Sequence, residues 1–297
     1  MISSAPFHID SSQQEIFLND QETFPYICFY RKLNPQSVNS LSWHWHSALE
    51  IDYVEEGEAE FHTLSQNFTV KKGQLIFINS NVIHSVSSNS SSGCKLYAHL
   101  FHPKFLCGTY TSIFFSQYIL PVIRRTDLPV LQIVPDTYQG LRMAESFLQA
   151  VELSRREPFG YELLLRSELS GFWLLLLEKI LSIPESGIKK SGLDTDRLKQ
   201  MLTYIHQNYS QHITLDMIAA SASISTRECS RCFQRCLKLS PVTYLNQYRI
   251  HQAASQLLNT TDTVLTISEN CGFSSGSYFG KLFHRVMGCT PKEYRKK

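Results

Sequence analysis

The sequence predicts a two-domain α+β fold, an antiparallel β-barrel followed by an all-α domain, and three observations support this prediction. Short runs rich in β-branched and aromatic residues fill residues 23–101, which is typical of barrel strands. From about Asp136 onward the apolar residues recur with helical spacing. The C-terminal part contains one pattern twice, fifty positions apart, which indicates two copies of a small helical module.

The strand-rich segment, residues 1–135, forms the predicted barrel domain. Its clearest strands are Ile51–Val54, Ala59–Leu64 and Gln74–Ile78. We expect Gly57 to separate the first two of them, because glycine is a common strand breaker. The stretch Ser85–Gly93 consists almost entirely of serine and asparagine, so we interpret it as a flexible loop between strands.

Two helices are predicted in residues 136–182, and they are separated by a break at Pro158. The second helix, Tyr161–Leu181, has too few polar residues to cover its surface. It therefore packs on the barrel, on another subunit, or on both. Residues 183–192 are the predicted linker because they contain proline, glycines and lysines. Residues 193–297 form the predicted C-terminal domain.

The net charge of +2 conceals an asymmetry between the two parts of the chain. Residues 193–297 contain 13 Lys and Arg against 7 Asp and Glu, which gives +6, so the remainder carries −4. A basic C-terminal domain favours contact with a polyanion such as nucleic acid. A chance division of solvated charge is the alternative explanation.

The composition indicates no targeting or membrane segment. The chain has no run of about 20 uncharged apolar residues, and its first residues lack the basic and apolar regions of a signal peptide. We therefore expect a cytoplasmic location and no membrane partner. In that compartment the eight cysteines are expected to be free thiols.

The repeated pattern is Ser-x7-Phe-x7-Pro-x2-Tyr, and it begins at Ser225 and again at Ser275. Ser225 and Glu228 have the spacing of a capping box, so a helix is predicted from Thr226 to about Leu237. A shorter helix precedes it after the capping residue Thr214, and such a pair is typical of a helix-turn-helix.

The second copy repeats this plan. Its first helix is predicted from Thr263 or Val264 to Cys271, and its second helix lies between Ser275 and Gly288. A further capping box is predicted at Thr290 and Glu293.

A helix from Pro241 to about Leu258 connects the two copies, and it is roughly 27 Å long at 1.5 Å per residue. Such a rod can hold two recognition helices about one DNA turn apart, roughly 34 Å. One chain could then read two consecutive major grooves on the same DNA face.

Each predicted recognition helix has an apolar face and a polar face. Cys229, Cys232, Phe233 and Cys236 share one face of the first helix, and we interpret them as core residues rather than metal ligands. The polar face carries Arg227, Ser230, Arg231 and Gln234 in the first helix, and Gly276, Ser277, Gly280, Lys281 and His284 in the second. Arginine can donate two hydrogen bonds to a guanine edge. Plain solvent exposure is the alternative for each basic residue.

These residues resemble the C-terminal signature of AraC/XylS-type transcription regulators. The matching residues are Ile267, Cys271-Gly272-Phe273, Ser277-Tyr278-Phe279, Phe283, Gly288, Thr290-Pro291 and Tyr294-Arg295. The resemblance covers about 193–297 and implies groove reading by Arg227, Ser230, Arg231, Gly276, Ser277 and Lys281. With the adjacent Thr226 and Gln234, these residues make up the predicted DNA-binding set.

The first copy departs from the family pattern at two glycine positions. Ser223 stands where the family has the turn glycine, and Lys238 where a glycine ends the first recognition helix. A non-glycine residue at positive φ costs roughly 1 kcal/mol, so we expect a less stable first copy. In the second copy, Gly276 lacks a side chain where the family often has a base-reading one. The first copy is therefore expected to carry more of the sequence reading.

The N-terminal domain resembles the cupin superfamily in two motifs. His44-x-His46-x3-Glu50-x6-Gly57 resembles the first, and Gly73-x10-His84 the second, with Asn79 and Asn81 in place of proline and glycine. Such a barrel often precedes an AraC-type domain as its effector-sensing module. The resemblance implies an N-terminal cupin-like antiparallel β-barrel with helices and a C-terminal all-α double helix-turn-helix domain.

His44 and His46 point to the same face of a strand. With Glu50 and His84 they form the predicted effector-binding site, which Trp43 and Trp45 could wall. Two alternatives remain open: the four polar residues could supply nitrogen and oxygen ligands to Zn, Fe or Mn, or they could be structural, with both tryptophans packing the barrel. The predicted set contains no metal and no cofactor.

We therefore predict a transcription regulator, not an enzyme, that binds double-stranded DNA and responds to a small-molecule effector, with a sugar as the favoured class. Residues 136–182 are expected to mediate homodimerisation and to transmit the effector signal. RNA polymerase is a partner if the protein is an activator. One alternative is a metal-dependent enzyme with a helical appendage. Another is a ligand-independent DNA-binding protein whose barrel only dimerises.

Overall fold

The computed structural model describes residues 2–3, 24–33, 41–88, 90, 93–185, 192–237 and 239–296. Contacts divide the chain into two compact units, one that ends at residue 190 and one that begins at residue 191. The described residues of the N-terminal unit form eight strands, three short helical elements, a ninth strand and two long helices, and those of the C-terminal unit form helices. The predicted α+β class, with a β-rich N-terminal part and an all-α C-terminal part, is confirmed. Most of the predicted linker lies outside the described residues.

The N-terminal unit contains an antiparallel sheet system in which two layers share one strand. The strands are β1 (Ile2–Ser3), β2 (Tyr26–Leu33), β3 (Leu41–His44), β4 (Leu49–Thr63), β5 (Asn67–Lys71), β6 (Leu75–Ile78), β7 (His84–Ser87), β8 (Cys94–Phe101) and β9 (Val130–Ile133). One layer has the order β1-β2-β8-β4-β6-β9, and β4 also pairs with β5 and with β7, which pairs with β3. The short pair β1–β2 is parallel.

Strand β4 belongs to both layers because it bends at Gly57. Residues up to 57 pair with β6 and β8, and residues from 58 pair with β5 and β7. Gly57 was expected to end a strand, and this prediction is wrong. At φ 74° the chain turns without leaving the ladder, and a Cβ here would lie 2.2 Å from the Gly93 carbonyl oxygen. Glycine is required at this corner because no larger residue fits.

The predicted loop Ser85–Gly93 is partly a strand. Its first residues continue β7, which pairs with β3 and with the second half of β4. Ser88 then donates a hydrogen bond from its hydroxyl to the Glu58 carbonyl at 2.8 Å. Ladder pairing and burial outweigh the low intrinsic strand preference of these residues.

The main layer is buried on both faces. Ile76 and Ile78 of β6 pack in the barrel interior, whereas Leu75 and Phe77 of the same strand pack against helices. The covering helices are α3 (Tyr138–Arg156) and α4 (Tyr161–Ser182), preceded by α1 (Pro103–Cys107), a π-helical turn (Phe115–Ile119) and α2 (Leu120–Ile123). The two short helices and the π-turn were not predicted, because they are too short to show a periodic pattern.

The packing of helix α4 against the sheet accounts for part of its low content of polar residues. Phe172, Trp173 and Leu176 of this helix are buried against the sheet, so packing on the barrel is observed among the predicted alternatives. Leu163, Leu164, Leu174 and Leu181 of the same helix remain exposed. Even so, no helix in the described ranges combines the length and apolarity that a bilayer span requires.

The C-terminal unit consists of helices, and those that follow Thr214 lie at the predicted positions within a few residues at each end. They are α5 (Gly192–Asn208), α6 (Leu215–Ser221), α7 (Thr226–Leu237), α8 (Pro241–Asn259), α9 (Val264–Asn270), α10 (Gly276–Met287) and α11 (Pro291–Tyr294). The Thr290–Glu293 capping box is confirmed in full. At Ser225 only half of the predicted box forms: its hydroxyl accepts from the Glu228 amide, but the Glu228 carboxylate pairs with Arg235 at 2.7 Å. The charged partner is the stronger one.

Candidate functional site

Four side chains that the sequence singled out converge inside the barrel. They are His44, His46, Glu50 and His84, all at most 1% exposed. The potential ligand atoms of the four residues lie within 4.8 Å of one another. We refer to these residues as the histidine–glutamate cluster.

The strand register brings the histidine–glutamate cluster together. His44 on β3 lies directly opposite His84 on β7. Glu50 lies near the start of β4, on the face that alternates with the helix-facing Leu49 and Ile51. His46 is fixed from the other side, because the Asn81 amide donates to its carbonyl at 2.8 Å. Asn81 has φ 62°, where the related cupin motif has glycine, and asparagine tolerates this conformation better than most residues.

Two of the imidazoles are oriented by backbone carbonyls. His46 Nδ1 donates to the Ala48 carbonyl at 3.0 Å, and His84 Nδ1 donates to the Val82 carbonyl at 3.0 Å. A carbonyl only accepts, so each Nδ1 carries a proton and each Nε2 turns inward. Both Nε2 atoms lie 3.0 Å from Glu50 Oε2.

Glu50 is a buried carboxylate held by its two histidine neighbours. Burial by itself raises the pKa of Glu50, but the hydrogen bonds and charge of His46 and His84 outweigh it and keep the pKa well below its usual range. Oε1 of the same carboxylate has no hydrogen-bond partner among the described residues. A buried carboxylate oxygen without a partner is costly unless a further group binds it.

The donor set of the histidine–glutamate cluster fits a divalent transition metal. Three imidazole nitrogens and one carboxylate are ligands that Zn, Fe and Mn accept. The Nδ1–carbonyl hydrogen bonds of His46 and His84 are of the kind that orient metal-binding histidines. The unpartnered Oε1 of Glu50 offers the remaining anionic donor. His44, His46, Glu50 and His84 could therefore hold such an ion, which would supply a Lewis acid at the barrel interior.

The aromatic residues near the cluster have different environments. Trp45 lies between His44 and His46 in the sequence and is 9% exposed, whereas Trp43 is half-buried. Their role as walls of an effector site stays a prediction. Tyr53 does not join them, because its ring stacks on Phe147 of α3 at 5.6 Å, on the helix side of the sheet. Side chains on β4 alternate between the two faces, so Tyr53 faces the helices and Glu50 faces the barrel interior.

The first recognition helix, α7, has one buried and one exposed face. Cys229, Cys232 and Phe233 are fully buried, which confirms their interpretation as core residues, whereas Cys236 is only half-buried. Arg227, Arg231 and Gln234 are exposed, and Thr226 and Ser230 are half-buried on the same side. In the described ranges, metal-capable groups gather only at the histidine–glutamate cluster. All eight cysteines are free thiols, as expected.

The second recognition helix, α10, repeats this division. Phe279, Phe283 and Met287 are buried. Its exposed residues include the predicted set of Gly276, Ser277 and Lys281. Tyr278 also belongs to this surface, with 51% exposure and a hydroxyl that accepts from Asn246 of α8 at 3.2 Å. Tyr278 was not among the predicted DNA-binding residues. Its position three residues before Lys281, on the same face of the helix, would have indicated it.

Arg235 is basic but has a structural position. Its guanidinium bonds both carboxylate oxygens of Asp194 at 3.1 Å and also reaches Glu228. This bidentate ion pair links the C-terminal part of α7 to the start of α5. The basic residues of α7 that remain available to contact a partner are therefore Arg227 and Arg231.

Comparison with known proteins agrees with this geometry. Residues 24–171 match the family model described as an AraC-like ligand binding domain, and residues 218–297 match a helix-turn-helix domain. The chain belongs to the AraC-type transcription regulators. Neither matched model describes an enzyme, and the regulator combines a ligand-binding domain with a helix-turn-helix domain that binds DNA.

Individual relatives cover most of the regulator. It is 28% identical over 290 residues, 98% of each chain, to the uncharacterized HTH-type transcriptional regulator YdeC of Bacillus subtilis (strain 168). It is 26% identical to the HTH-type transcriptional activator RhaS of Klebsiella pneumoniae (strain 342), over 85% of this chain and 87% of that one. It is 22% identical to the melibiose operon regulatory protein of Escherichia coli (strain K12), over 85% and 83%.

Among solved structures, ToxT from Vibrio cholerae has a similar fold. The TM-score is 0.50 at 14% identity, with 92% of this chain and 98% of that chain covered. At this identity the likeness concerns the two-domain fold alone.

Proposed function

We propose that this regulator reads two successive major-groove segments with α7 and α10 and that a small molecule bound in its barrel controls this reading. The observation that carries the proposal is the pair of exposed polar faces, which one continuous helix connects. Helix α8 has 19 residues and is therefore about 28 Å long. That length suits two grooves about one DNA turn apart, roughly 34 Å.

The proposed DNA contacts are Thr226, Arg227, Ser230, Arg231 and Gln234 on α7, and Gly276, Ser277 and Lys281 on α10. Arg227 and Arg231 give α7 two guanidinium groups, whereas Gly276 contributes no side chain to α10. Guanidinium groups discriminate bases through paired hydrogen bonds. We therefore assign more of the sequence discrimination to the first helix-turn-helix unit.

The test is a gel-shift measurement on DNA selected by the wild-type protein from a random duplex pool. Arg231→Ala should lose about 1–3 kcal/mol on the selected site if Arg231 reads a base. If Arg231 contacts phosphate, all sequences should weaken alike and the salt slope should fall by about one. Lys281→Ala should also weaken binding.

Arg142→Ala is the matched control, because it removes one exposed positive charge from α3 in the N-terminal unit. Its affinity for the selected DNA should equal that of the wild type. Unchanged affinity of both Arg231→Ala and Lys281→Ala would remove the proposed contact surface.

The proposed effector site is the histidine–glutamate cluster with Trp43 and Trp45, and a sugar is the first class to test. Support comes from the matched ligand-binding family model and from the relative named for the melibiose operon. A sugar offers several hydroxyls that imidazole and carboxylate groups can bind. A bound sugar should raise the melting temperature of the N-terminal unit. It should also change the DNA affinity through its preference for one conformation.

Metal binding at the same cluster is a second candidate, and a specific observation favours it. The Nδ1 hydrogen bonds of His46 and His84 direct both Nε2 atoms toward Glu50, whose Oε1 has no partner in the described ranges. A bound divalent ion would satisfy all of these atoms at once. The metal content of the purified protein distinguishes this candidate from direct binding of an organic effector.

We further propose that the regulator is a cytoplasmic homodimer and an activator that contacts RNA polymerase. The exposed leucines of α4 support a second copy as its partner, because exposed apolar patches mark interaction sites. The relative named as a transcriptional activator supports the mode of action. Sedimentation of wild type and Leu174→Glu tests the dimer, since a charge at the interface should yield monomers.

A further inference from the structure

Arg249 is a buried arginine at the middle of α8, the helix that connects the two helix-turn-helix units. It is 8% exposed. Its Nε donates to the Tyr209 carbonyl at 2.7 Å, and its Nη2 donates to the Gln211 carbonyl at 2.6 Å. Both carbonyls belong to the connection between α5 and α6, the segment that leads into the first helix-turn-helix unit.

The second helix-turn-helix unit packs on the same guanidinium. The Phe273 ring centroid lies 5.7 Å from the Arg249 Cζ atom, within the range of a cation–π contact. Gly272, with φ 79°, precedes this phenylalanine in the turn between α9 and α10. A Cβ on Gly272 would lie 2.5 Å from the Tyr209 carbonyl oxygen and 2.8 Å from Arg249 Nη2. The turn can approach this closely only because residue 272 has no side chain.

Tyr209, Gln211, Arg249, Gly272 and Phe273 thus form one contact set, which we name the Arg249 junction. It joins the α5–α6 connection, the middle of α8 and the α9–α10 turn. The flanking halves of α8 serve different cores: Tyr244 contacts Phe233 of the first helix-turn-helix unit, whereas Ile250 and Leu257 pack in the second. The junction lies where the two cores meet.

A continuous helix fixes the distance between two bundles, but contacts around the helix fix their rotation about its axis. The Arg249 guanidinium is a rigid planar fork, so two short hydrogen bonds define both its position and its orientation. Both acceptors are main-chain carbonyls, so the hydrogen bonds fix the position of the backbone rather than that of a side chain. A shift of the α5–α6 connection relative to α8 would break these hydrogen bonds in a buried place, where unsatisfied groups are costly. A shift of the α9–α10 turn would remove the Phe273 ring from the guanidinium.

We propose that Arg249 is a positioning residue whose junction holds α7 and α10 at the fixed mutual orientation needed to read two groove segments together. This inference rests on the proposed two-segment DNA reading. Two linked binding modules gain affinity only when their geometry permits simultaneous engagement. Loosening the junction should therefore penalise two-segment binding and spare one-segment binding.

The test compares wild type with Arg249→Lys, which keeps the charge and loses the fork. Three duplexes are used: the site selected by the wild type, the same site with one segment scrambled, and the same site with one base pair inserted between segments. Arg249→Lys should lose about tenfold or more on the intact site. Its affinity for the scrambled site should stay within about threefold of wild type, and its discrimination against the inserted base pair should shrink.

Phe273→Leu serves as a second variant, because it removes the ring beneath the guanidinium and keeps an apolar core residue. It should relax the spacing preference in the same direction. Helical content and melting temperature are measured for each variant. If Arg249→Lys does not fold, the Phe273→Leu spacing preference decides the question.

Two results would overturn the assignment. One is that the folded variants keep the spacing preference of the wild type. The other is that Arg249→Lys loses the same affinity on the intact and the scrambled sites, which a merely structural role predicts. Failure of the wild type itself to select any DNA would contradict the proposed function instead. The two failures are therefore distinguishable.

Discussion

Ser223 and Gly272 occupy equivalent turns in the two helix-turn-helix units, with φ angles of 54° and 79°. In both turns the amide of this residue donates to the residue three positions earlier, at 3.0 Å to the Ala220 carbonyl and 2.8 Å to the Glu269 carbonyl. The backbone conformation is therefore the same, but only the second helix-turn-helix unit has the residue suited to it. The first contains a serine under strain, as the sequence predicted.

Replacing Ser223 with glycine should stabilise the C-terminal domain. A non-glycine residue in the left-handed region costs roughly 1 kcal/mol, and Ser223 is exposed, so no packing is lost. Urea denaturation of the full chain should show a free energy of unfolding higher by up to about 1 kcal/mol.

Ser274→Gly is the matched control, since Ser274 is exposed in the other turn and is absent from the residues with positive φ. This control should be neutral or destabilising, because glycine adds freedom to the unfolded chain. Equal effects of the two substitutions would show that Ser223 is not strained.

Mild acid should destabilise the N-terminal domain through His99. Tyr26 Oη lies 2.6 Å from His99 Nδ1, and Nε2 donates to the Phe147 carbonyl at 3.2 Å. Burial lowers the pKa of His99 to about 4. The unfolded chain, with a histidine pKa of about 6.5, takes up a proton as the pH falls from about 6.5 to about 4, and the folded chain does not.

The stability contributed by neutral His99 is therefore complete above about pH 6.5 and is lost toward pH 4, by about 3 kcal/mol in all. His99→Gln keeps one acceptor and one donor but does not titrate. The difference between wild type and His99→Gln in unfolding free energy should thus change with pH across this window. A constant difference would contradict a depressed pKa at His99.

Metal binding, the second candidate for the histidine–glutamate cluster, predicts stoichiometric uptake of a divalent transition metal. Added Zn²⁺ should raise the melting temperature of the wild type, because the ion binds the folded state. Glu50→Gln should lose this rise, since it removes the anionic ligand and leaves the volume nearly unchanged. Elemental analysis after dialysis measures the metal content directly.

Glu60→Gln is the control for metal binding, because Glu60 lies on the same strand β4 but accepts a hydrogen bond from Thr69 at an exposed site. It should bind zinc like the wild type. Equal zinc stabilisation of wild type and Glu50→Gln would leave the cluster without a metal role.

Arg125 should hold the C-terminal end of α4. Its Nη1 donates to the Ile180 and Ile183 carbonyls, both at 3.0 Å, and its Nε donates to Asp127 at 2.9 Å. Arg125→Met should destabilise the N-terminal domain by about 3 kcal/mol, because it removes one partner of a mostly buried ion pair.

Hydrogen exchange would locate the effect of Arg125→Met. Amides at the end of α4, around Ser182 and Ile183, should exchange faster than in the wild type, while those of the barrel strands change less. Arg166→Met is the comparison, since Arg166 also donates to a carbonyl, that of Leu106 at 2.8 Å, but is exposed. Similar amide exchange at residue 183 in both variants would show that Arg125 does not hold the C-terminal end of α4.

Much of the architecture followed from local sequence signals. The capping residues Thr214, Ser240 and Thr263 each accept a hydrogen bond from the first turn of the helix they precede, so the helix starts could be predicted. The cupin-like spacing brought His44, His46, Glu50 and His84 to attention before their geometry was known. The predictions failed at Gly57 and at Ser85, where pairing partners distant in sequence decide the outcome.

The sequence by itself determined the α+β class, the two helix-turn-helix units and the strained turn at Ser223, because periodicity, capping and backbone preference act over a few residues. Only the tertiary structure decided that β4 continues through Gly57, that two carbonyls orient the imidazoles toward Glu50, and that Arg249 joins the α5–α6 connection to the α9–α10 turn. The reason is physical: these features depend on atoms far apart in the chain. Arg249 and Tyr209 are 40 positions apart, and no local pattern encodes that contact.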